Sequence, residues 1–168
     1  MVLTKSELIA ALQNEVRILF HLAGKIDRAQ LDYRPTAKQR SALELLKYLS
    51  VMGPQLRLAA TTGGFDRDAY MAANAEATAR DFDQTLAAIA TQHDQFATLL
   101  GGMSDEDFRA DMPTFDGSKS SKGAFIVNTV LGGYAAYRTQ LFCYLKSCGQ
   151  DTLNTGNLWR GVDPAPAS

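Results

Sequence analysis

Cysteine is scarce in this sequence, with two residues among 168. Cys143 and Cys148 fall in one predicted helix, which places them about 140° apart around its axis and about 7.5 Å apart along it. That separation is beyond the reach of a disulfide, and a metal pair or redox motif needs closer spacing. We therefore predict that both cysteines are reduced and serve as small packing residues.

An excess of charge of either sign is also lacking, because 17 basic residues are balanced by 18 acidic ones and the net charge is -1. Without a cluster of lysine and arginine, nucleic acid is not expected as a partner. No apolar run reaches about 18 residues, the length that a membrane span needs. The N-terminus has the pattern of a first helix and not of a signal peptide, so we expect a cytoplasmic protein without a membrane partner.

Alternation of apolar and polar residues with period two, the pattern of a strand, is missing over any length that could build a sheet. Apolar residues instead recur every three or four positions in four segments: helix 1 from Lys5 to Ala23, helix 2 from Ser41, helix 3 from about Thr78 to Leu100, and the last helix from Gly123 to Cys148. These helices, joined by long crossing segments, predict an all-α four-helix bundle. We expect a single domain over residues 1–168.

Local signals mark the ends of several segments. Thr4-Lys-Ser-Glu7 and Ser41-Ala-Leu-Glu44 are capping boxes that open helices 1 and 2. We expect Gly53-Pro54 to break or kink helix 2, with residues 55–60 as a possible short helical continuation. Residues 65–74 have no clear pattern and are expected to be irregular with a turn of helix, and residues 112–122 are expected to form a polar loop with a turn at Asp116-Gly117.

The tail is expected to act as a C-terminal strap. Within residues 150–168, Leu153, Leu158 and Trp159 form an apolar patch that we expect to lie across one end of the bundle, as part of a tail that includes residues 155–168. The final residues, PAPAS, are expected to fray.

The last helix carries two unusual features. Gly132 and Gly133 lie in its middle, where each glycine costs roughly 1 kcal/mol relative to alanine. Its buried stripe also contains two phenols, Tyr134 and Tyr137, where leucine would be simpler. Any function beyond folding is therefore expected in this region.

Helix 3 carries His93 on its apolar stripe, together with Ile89 and Phe96. A single histidine in such a stripe is more often a satisfied core residue than a ligand. A role as a general base would require a substrate or nucleophile within reach, and the sequence offers no obvious nucleophile.

Two segments carry a resemblance to a known family. Leu31-Asp-Tyr-Arg-Pro35 with Arg40-Ser-Ala-Leu-Glu-Leu-Leu-Lys-Tyr-Leu49 leads into helix 2, and residues 128–149 form most of the last helix. Together they resemble the DinB-like (DinB/YfiT-like) superfamily, which usually has His-Arg-Gly-Gln-Leu where this chain has Tyr137-Arg-Thr-Gln-Leu141. The tail Leu158-Trp-Arg-Gly161-Val-Asp-Pro164 also suits that group. The resemblance implies a four-helix bundle that is commonly a homodimer, in which Arg138 pairs with a carboxylate or carbonyl, with Glu44 as a possible partner.

Many members of that family bind a divalent metal through three histidines, one on helix 2 and a His-x-x-x-His pair on the last helix. Residues at i and i+4 share a helix face, so a third imidazole from a facing helix completes an open site. By position, these ligands correspond to Tyr48, Gly133 and Tyr137, so all three are missing. Neutral phenols are poor ligands because they ionise only near a pKa of about 10, and the chain contains only His21 and His93. The resemblance therefore implies the fold, and we expect no metal and no cofactor.

Because Tyr48, Tyr137 and His93 each lie on an apolar stripe, we hypothesise that they fill the former metal cavity and hydrogen-bond to one another. Tyr134 is a possible further member, and Gly133 would leave space at the wall. A buried phenol or imidazole without a partner costs roughly 1–3 kcal/mol, which favours such pairing. Alternatively, the tyrosines are large core residues, and the glycine pair allows close approach of helices within the bundle or at a dimer face.

Three classes of function stay open at this point, and no catalytic residue is assigned. The first is a non-catalytic bundle that binds a small molecule or a partner, as a homodimer. The second is a thiol-dependent transferase or hydrolase-like enzyme of the family type that uses Tyr48, Tyr137 and His93. The third is a purely structural or stress-associated protein without a ligand.

Overall fold

The computed structural model describes residues 3–164. Its elements in chain order are α1 (Lys5–Ala23), a 3₁₀ turn (Arg28–Gln30), α2 (Ala42–Thr62), α3 (Arg67–Ala79), α4 (Phe82–Ala90), α5 (Gln92–Gly101), α6 (Asp105–Arg109), β1 (Asp111–Pro113), β2 (Lys119–Ser121), α7 (Lys122–Phe125), a π-helical segment (Ile126–Leu131), α8 (Gly132–Ser147) and α9 (Thr155–Arg160). The elements α7, the π-helical segment and α8 follow one another directly and are together called the last long helix. The predicted all-α fold is confirmed.

Four long helical segments surround one apolar core. The helix α1 packs against α5 and α8, whereas α2 packs against α4 and α8, so that each segment has two neighbours in a bundle. The fully buried core side chains come from all four segments and include Leu12, Leu19, Leu45, Leu49, Ile89, Leu100 and Leu141. Within the described residues, no helix combines the length and the apolar character needed to cross a membrane.

Capping boxes fix the starts of α1 and α2, as predicted. The Thr4 side chain accepts a hydrogen bond from the Glu7 N–H at 3.2 Å, and the Glu7 carboxylate accepts one from the Thr4 N–H at 2.8 Å. Ser41 and Glu44 repeat the same exchange at 3.2 and 2.8 Å. Each box satisfies backbone donors that the first helical turn leaves without a partner.

Helix 2 does not break at Gly53-Pro54, where a break or kink was predicted, and residues 55–60 continue it. The helix α2 continues to Thr62 and ends at Gly63, whose φ of 84° is the left-handed conformation that glycine adopts most easily. A proline inside a helix costs about 3 kcal/mol. Burial of Leu56 and of two alanines beyond the proline favours continuation, because a buried leucine side chain alone contributes about 1.5–3 kcal/mol.

Residues 65–74 are not irregular, and helix 3 is not one continuous helix. Asp66 caps α3 by accepting a hydrogen bond from the Ala69 N–H at 2.9 Å. The alanine-rich α3 has few buried residues, so its sequence shows no apolar stripe. A capping box of Asp81 and Gln84 then opens α4, and Thr91 separates α4 from α5.

The loop predicted for residues 112–122 contains a short antiparallel hairpin. Met112 of β1 faces Ser120 of β2, and each strand has three residues, too few to show an alternating pattern. The predicted turn at Asp116-Gly117 is present, with Gly117 at a φ of 83°. This hairpin connects α6 to the last long helix.

The tail does lie across the bundle, but with a different set of contacts. The helix α9 packs on α1, and the Arg17 guanidinium donates to the carbonyls of Gly161 at 3.3 Å and Arg160 at 2.8 Å. Leu153 is buried, whereas Trp159 is 67% exposed and so does not belong to an apolar patch. The fraying predicted for the end of the tail falls on residues 165–168, which lie outside the described residues.

Arg138 is buried and pairs with a carboxylate, but the partner is not Glu44. Its guanidinium donates to both carboxylate oxygens of Glu15, at 2.7 and 3.1 Å, and to the carbonyl of Leu158. Glu44 instead pairs with Arg34 at 3.3 Å near the surface. The ion pair of Arg138 and Glu15 therefore ties α8 to α1 and to the tail.

Both cysteines are free thiols. Cys143 is exposed, so the packing role predicted for it is wrong. Cys148 is partly buried, and this burial raises the pKa of its thiol.

Candidate ligand-binding site

An open cavity of about 570 Å³ lies between α2, α3, the hairpin turn and the last long helix. Its volume falls within the range of about 300–1,000 Å³ that is usual for small-molecule sites. The lining residues are Tyr48, Met52, Gln55, Leu56, Phe65, Tyr70, Phe115, Asn128, Thr129, Gly132, Gly133 and Tyr137. None of these side chains is charged at neutral pH, and five of them are aromatic.

Helical spacing explains how α2 and α8 contribute to the cavity. Tyr48, Met52 and Gln55 lie four and three residues apart along α2, so they share one face of that helix. Gly133 and Tyr137 lie four residues apart along α8 and share a face in the same way. The cavity is therefore the place where these two faces meet.

The structure brings together the two phenols that the pocket hypothesis joined. The rings of Tyr48 and Tyr137 meet edge to face, with centroids 5.1 Å apart and planes at 65°. The Tyr137 hydroxyl points to the Tyr48 hydroxyl at 3.5 Å, which is at the long limit for a hydrogen bond. Both hydroxyls are thus only weakly paired and can still bind another group.

The Tyr48 phenol stays neutral in this setting. Its burial raises the pKa of the hydroxyl above its ordinary value, and the adjacent Tyr137 hydroxyl raises it further. The Arg40 guanidinium lies 4.1 Å from the centroid of the Tyr48 ring and favours the phenolate, but this effect is the smaller one. Tyr48 therefore contributes an O–H group and not an anion to the cavity.

Gly133 lines the cavity without a side chain. A Cβ atom at this position would lie 3.6 Å from both Sδ and Cε of Met52, which is an ordinary van der Waals contact. The backbone conformation is helical, so nothing in the local geometry requires glycine here. The missing side chain instead keeps space open beside Tyr137.

The π-helical segment places two polar side chains at the cavity. The Gly132 N–H donates to the carbonyl of Val127, five residues earlier, so this turn encloses one residue more than an α-helical turn. Asn128 and Thr129, which lie within the segment, line the cavity. Single π-helical turns inside α-helices are frequent at functional sites.

Tyr134 does not line the cavity but belongs to the core. It is 1% exposed and donates a hydrogen bond to the side-chain carbonyl of Gln92, whose amide donates to the Leu49 carbonyl at 3.1 Å. Burial raises the pKa of the Tyr134 hydroxyl well above its ordinary value. Gly53 provides the room for this group, because a Cβ there would overlap the Tyr134 hydroxyl.

The prediction that His93 faces inward is wrong. Its side chain is 48% exposed, and Nδ1 lies 2.9 Å from the Asp94 carboxylate. Residues 92 and 93 lie three and four positions after Ile89, so helical periodicity allows either one on the buried face. Gln92 takes the inward position, where its amide satisfies buried polar groups on α2 and α8.

Several lining residues were not anticipated from the sequence. Gln55 was not assigned to the site because a break or kink was expected just before it, at Gly53-Pro54, although its spacing from Tyr48 indicates a shared face. Tyr70 was missed because α3 was expected to be irregular, although Asp66 is a capping signal. Phe65 and Phe115 lie in connecting segments, where periodicity gives no information.

The residues at this site do not fit a divalent metal. Within residues 3–164, no group of three or more histidine, cysteine, aspartate and glutamate side chains is arranged to hold an ion. The three family ligand positions correspond to two neutral phenols and a glycine. Burial raises the pKa of the Tyr48 hydroxyl above its ordinary value, which disfavours a phenolate ligand, and the glycine supplies no donor.

Two solved structures resemble most of the chain. One is a putative member of the DinB family from Exiguobacterium sibiricum, with 21% identity over 90% of this chain and 97% of that one, and a TM-score of 0.69. The other is a DinB-like protein from Bacillus subtilis, with 17% identity over 84% of this chain and 91% of that one, and a TM-score of 0.65. The chain has the DinB-like fold. No protein-family model matches the sequence, and no curated protein matches it.

In this DinB-like bundle, the three positions that the resemblance assigns to histidine all line one cavity. Tyr48 lies on α2, and Gly133 and Tyr137 lie on α8, facing it. In this chain the three positions thus meet at one cavity, where they supply two phenols and a glycine.

Proposed function

We propose that this DinB-like bundle lacks the three-histidine metal site and binds an uncharged small molecule in the cavity without catalysing a reaction. One observation carries the proposal. Tyr48, Gly133 and Tyr137 line a cavity of about 570 Å³ that has no charged lining residue. A divalent cation would lose its hydration there without anionic or imidazole ligands in exchange.

The enzyme alternative has weaker support. A transferase or hydrolase that used Tyr48, Tyr137 and His93 would need the three side chains in one place, but His93 is exposed and does not line the cavity. A thiol substrate would also need to be deprotonated, and no base is present among the lining residues.

Metal content tests the first half of the proposal. Purified protein equilibrated with Ni²⁺ or Zn²⁺ and then dialysed is expected to retain far less than one ion per chain by elemental analysis. Tight retention of one ion per chain would overturn the proposal. The triple variant Tyr48→His, Gly133→His, Tyr137→His provides the positive control, because it introduces the family's ligand types at three positions that line one cavity.

Closing the cavity tests the second half. Gly133→Leu adds a side chain beside Tyr137 and is expected to abolish the thermal shift produced by compounds from a screen of uncharged small molecules. Ala136→Leu places the same residue on the exposed side of α8 and is the matched control. Equal shifts in both variants would mean that the compounds bind elsewhere. The homodimer stays a prediction, which light scattering coupled to gel filtration measures.

A further inference from the structure

We propose, on the basis of the function proposed above, that the cavity selects a flat aromatic ligand that carries an uncharged amide or lactam group. The proposal combines three features of the cavity: the arrangement of its aromatic rings, two amide side chains without partners, and the lack of charge on its walls.

Two clusters of aromatic rings line the cavity. Tyr48 and Tyr137 form an edge-to-face pair on α2 and α8. Phe65 lies 5.3 Å from Phe115 and 5.5 Å from Tyr70, measured between ring centroids, and these three rings form a second cluster in the lining. Flat ligands suit such walls, because ring faces and edges favour offset stacking and edge-to-face contact at centroid distances of about 4.5–7 Å.

Two side-chain amides provide the polar contacts. Gln55 on α2 is partly buried, and Asn128 of the π-helical segment is exposed at the rim. Neither side chain forms a hydrogen bond with any other group in residues 3–164, although each offers both donors and an acceptor. A ligand amide or lactam also offers one donor and one acceptor side by side. It can therefore donate to the oxygen of a side-chain amide and accept a hydrogen bond from its N–H group. The Tyr48 and Tyr137 hydroxyls are weakly paired and extend the same polar surface.

The absence of charge excludes a second class of ligands. A carboxylate or phosphate in this cavity would exchange water for neutral dipoles, which is costly for an ion that is not paired. Arg40 is exposed and lies against the Tyr48 ring without lining the cavity. An uncharged ligand has no such penalty.

A pair of isosteric probes tests the proposal. 2-Naphthamide and 2-naphthoate have the same shape but differ in charge, and their affinities are measured by isothermal titration calorimetry and by ligand-observed NMR. We expect 2-naphthamide to bind at least about tenfold more tightly than 2-naphthoate, the ratio that one well-formed hydrogen bond provides. The same titration with the Gly133→Leu variant, whose new side chain fills the cavity, locates the binding site, because a probe that binds in the cavity is expected to lose its affinity.

Variants identify the amides as the specific contacts. Gln55→Met and Asn128→Leu keep the approximate size of each side chain and remove its hydrogen bonds, so each is expected to weaken 2-naphthamide binding by about tenfold. Asn74→Leu on α3, outside the cavity lining, is the matched control and is expected to leave the affinity unchanged. Unchanged affinity in both cavity variants would overturn the proposal.

The outcomes separate the ligand class from the proposed function. Tighter binding of 2-naphthoate, lost in Arg40→Met and in Gly133→Leu, would overturn the ligand class but leave a metal-free binding cavity in place. Lack of binding of either probe at millimolar concentration would also overturn the ligand class. The proposed function fails separately, if the protein retains one divalent ion per chain.

Discussion

Two glycine-to-alanine substitutions in helices are expected to change the stability in opposite directions. Gly133→Ala on α8 adds a methyl group 3.6 Å from Met52, which is normal contact. Alanine is better than glycine inside a helix by about 1 kcal/mol. We therefore expect the free energy of unfolding to rise by about 0.5–1 kcal/mol, and Tm to rise by about 1–4 °C for a chain of this size.

Gly53→Ala on α2 has the same gain in helix propensity but meets occupied space. The new Cβ would overlap the Tyr134 hydroxyl and lie 2.5 Å from the Gln92 side-chain oxygen. Overpacking costs about 1–3 kcal/mol, and disruption of the buried hydrogen bond between these groups adds about 1–3 kcal/mol. After the gain of about 1 kcal/mol from propensity, a net loss of about 1–5 kcal/mol is expected.

Urea unfolding followed by circular dichroism measures both variants against the parent chain. Adding Tyr134→Phe to Gly53→Ala removes the atom nearest to the new methyl group but leaves Cζ 2.8 Å away, so recovery is expected to be partial. A Gly133→Ala variant that is less stable than the parent would refute the open wall described for the cavity. A stabilised Gly53→Ala variant would refute the packing described around Tyr134.

Further predictions concern charge and pH. Glu15→Gln leaves the buried guanidinium of Arg138 without its counter-charge and is expected to lower the free energy of unfolding by about 3–5 kcal/mol. Arg34→Met breaks a half-exposed ion pair and is expected to change the free energy of unfolding by no more than about 1 kcal/mol in the same urea titration. Equal effects of the two substitutions would contradict the burial described for the ion pair of Arg138 and Glu15. The pKa values of Tyr48 and Tyr134 are raised by burial, so the folded state holds these protons more tightly than the unfolded state and stability is expected to fall as the pH rises above about 10. Tyrosinate absorbance at alkaline pH should then show these two phenols ionising only as the chain unfolds, and their early titration in the folded protein would contradict the described burial.

Helix positions and the bundle could be predicted because they depend on local chemistry. The capping boxes at Thr4 and Ser41 satisfy the first backbone donors of a helix wherever that helix packs, so their effect is visible in the sequence. The stripes of leucine on α1 and α2 indicate their buried faces for the same reason. The behaviour of Pro54 could not be predicted, because it depends on the burial of residues that follow it.

The site was predicted only in part. The positions of Tyr48, Gly133 and Tyr137 followed from the resemblance together with helical spacing, and they do meet at one cavity. Gln92 and not His93 faces the core because Gln92 has polar partners on two other helices. No local sequence pattern indicates these partners. Phe65 and Phe115 reach the cavity from connecting segments, whose course is set by tertiary packing alone.

The π-helical turn has a consequence for how relatives of this chain should be aligned. Because the hydrogen bond from Gly132 to Val127 encloses an additional residue, residue counts before and after it are out of step by one relative to an uninterrupted helix. When a relative has a regular helix here, an alignment without a gap places equivalent residues together on only one side of this turn. Equivalent positions in such proteins are therefore best identified by superposing backbones, because removing one residue from the turn would restore a regular α-helix without changing which faces the flanking residues occupy.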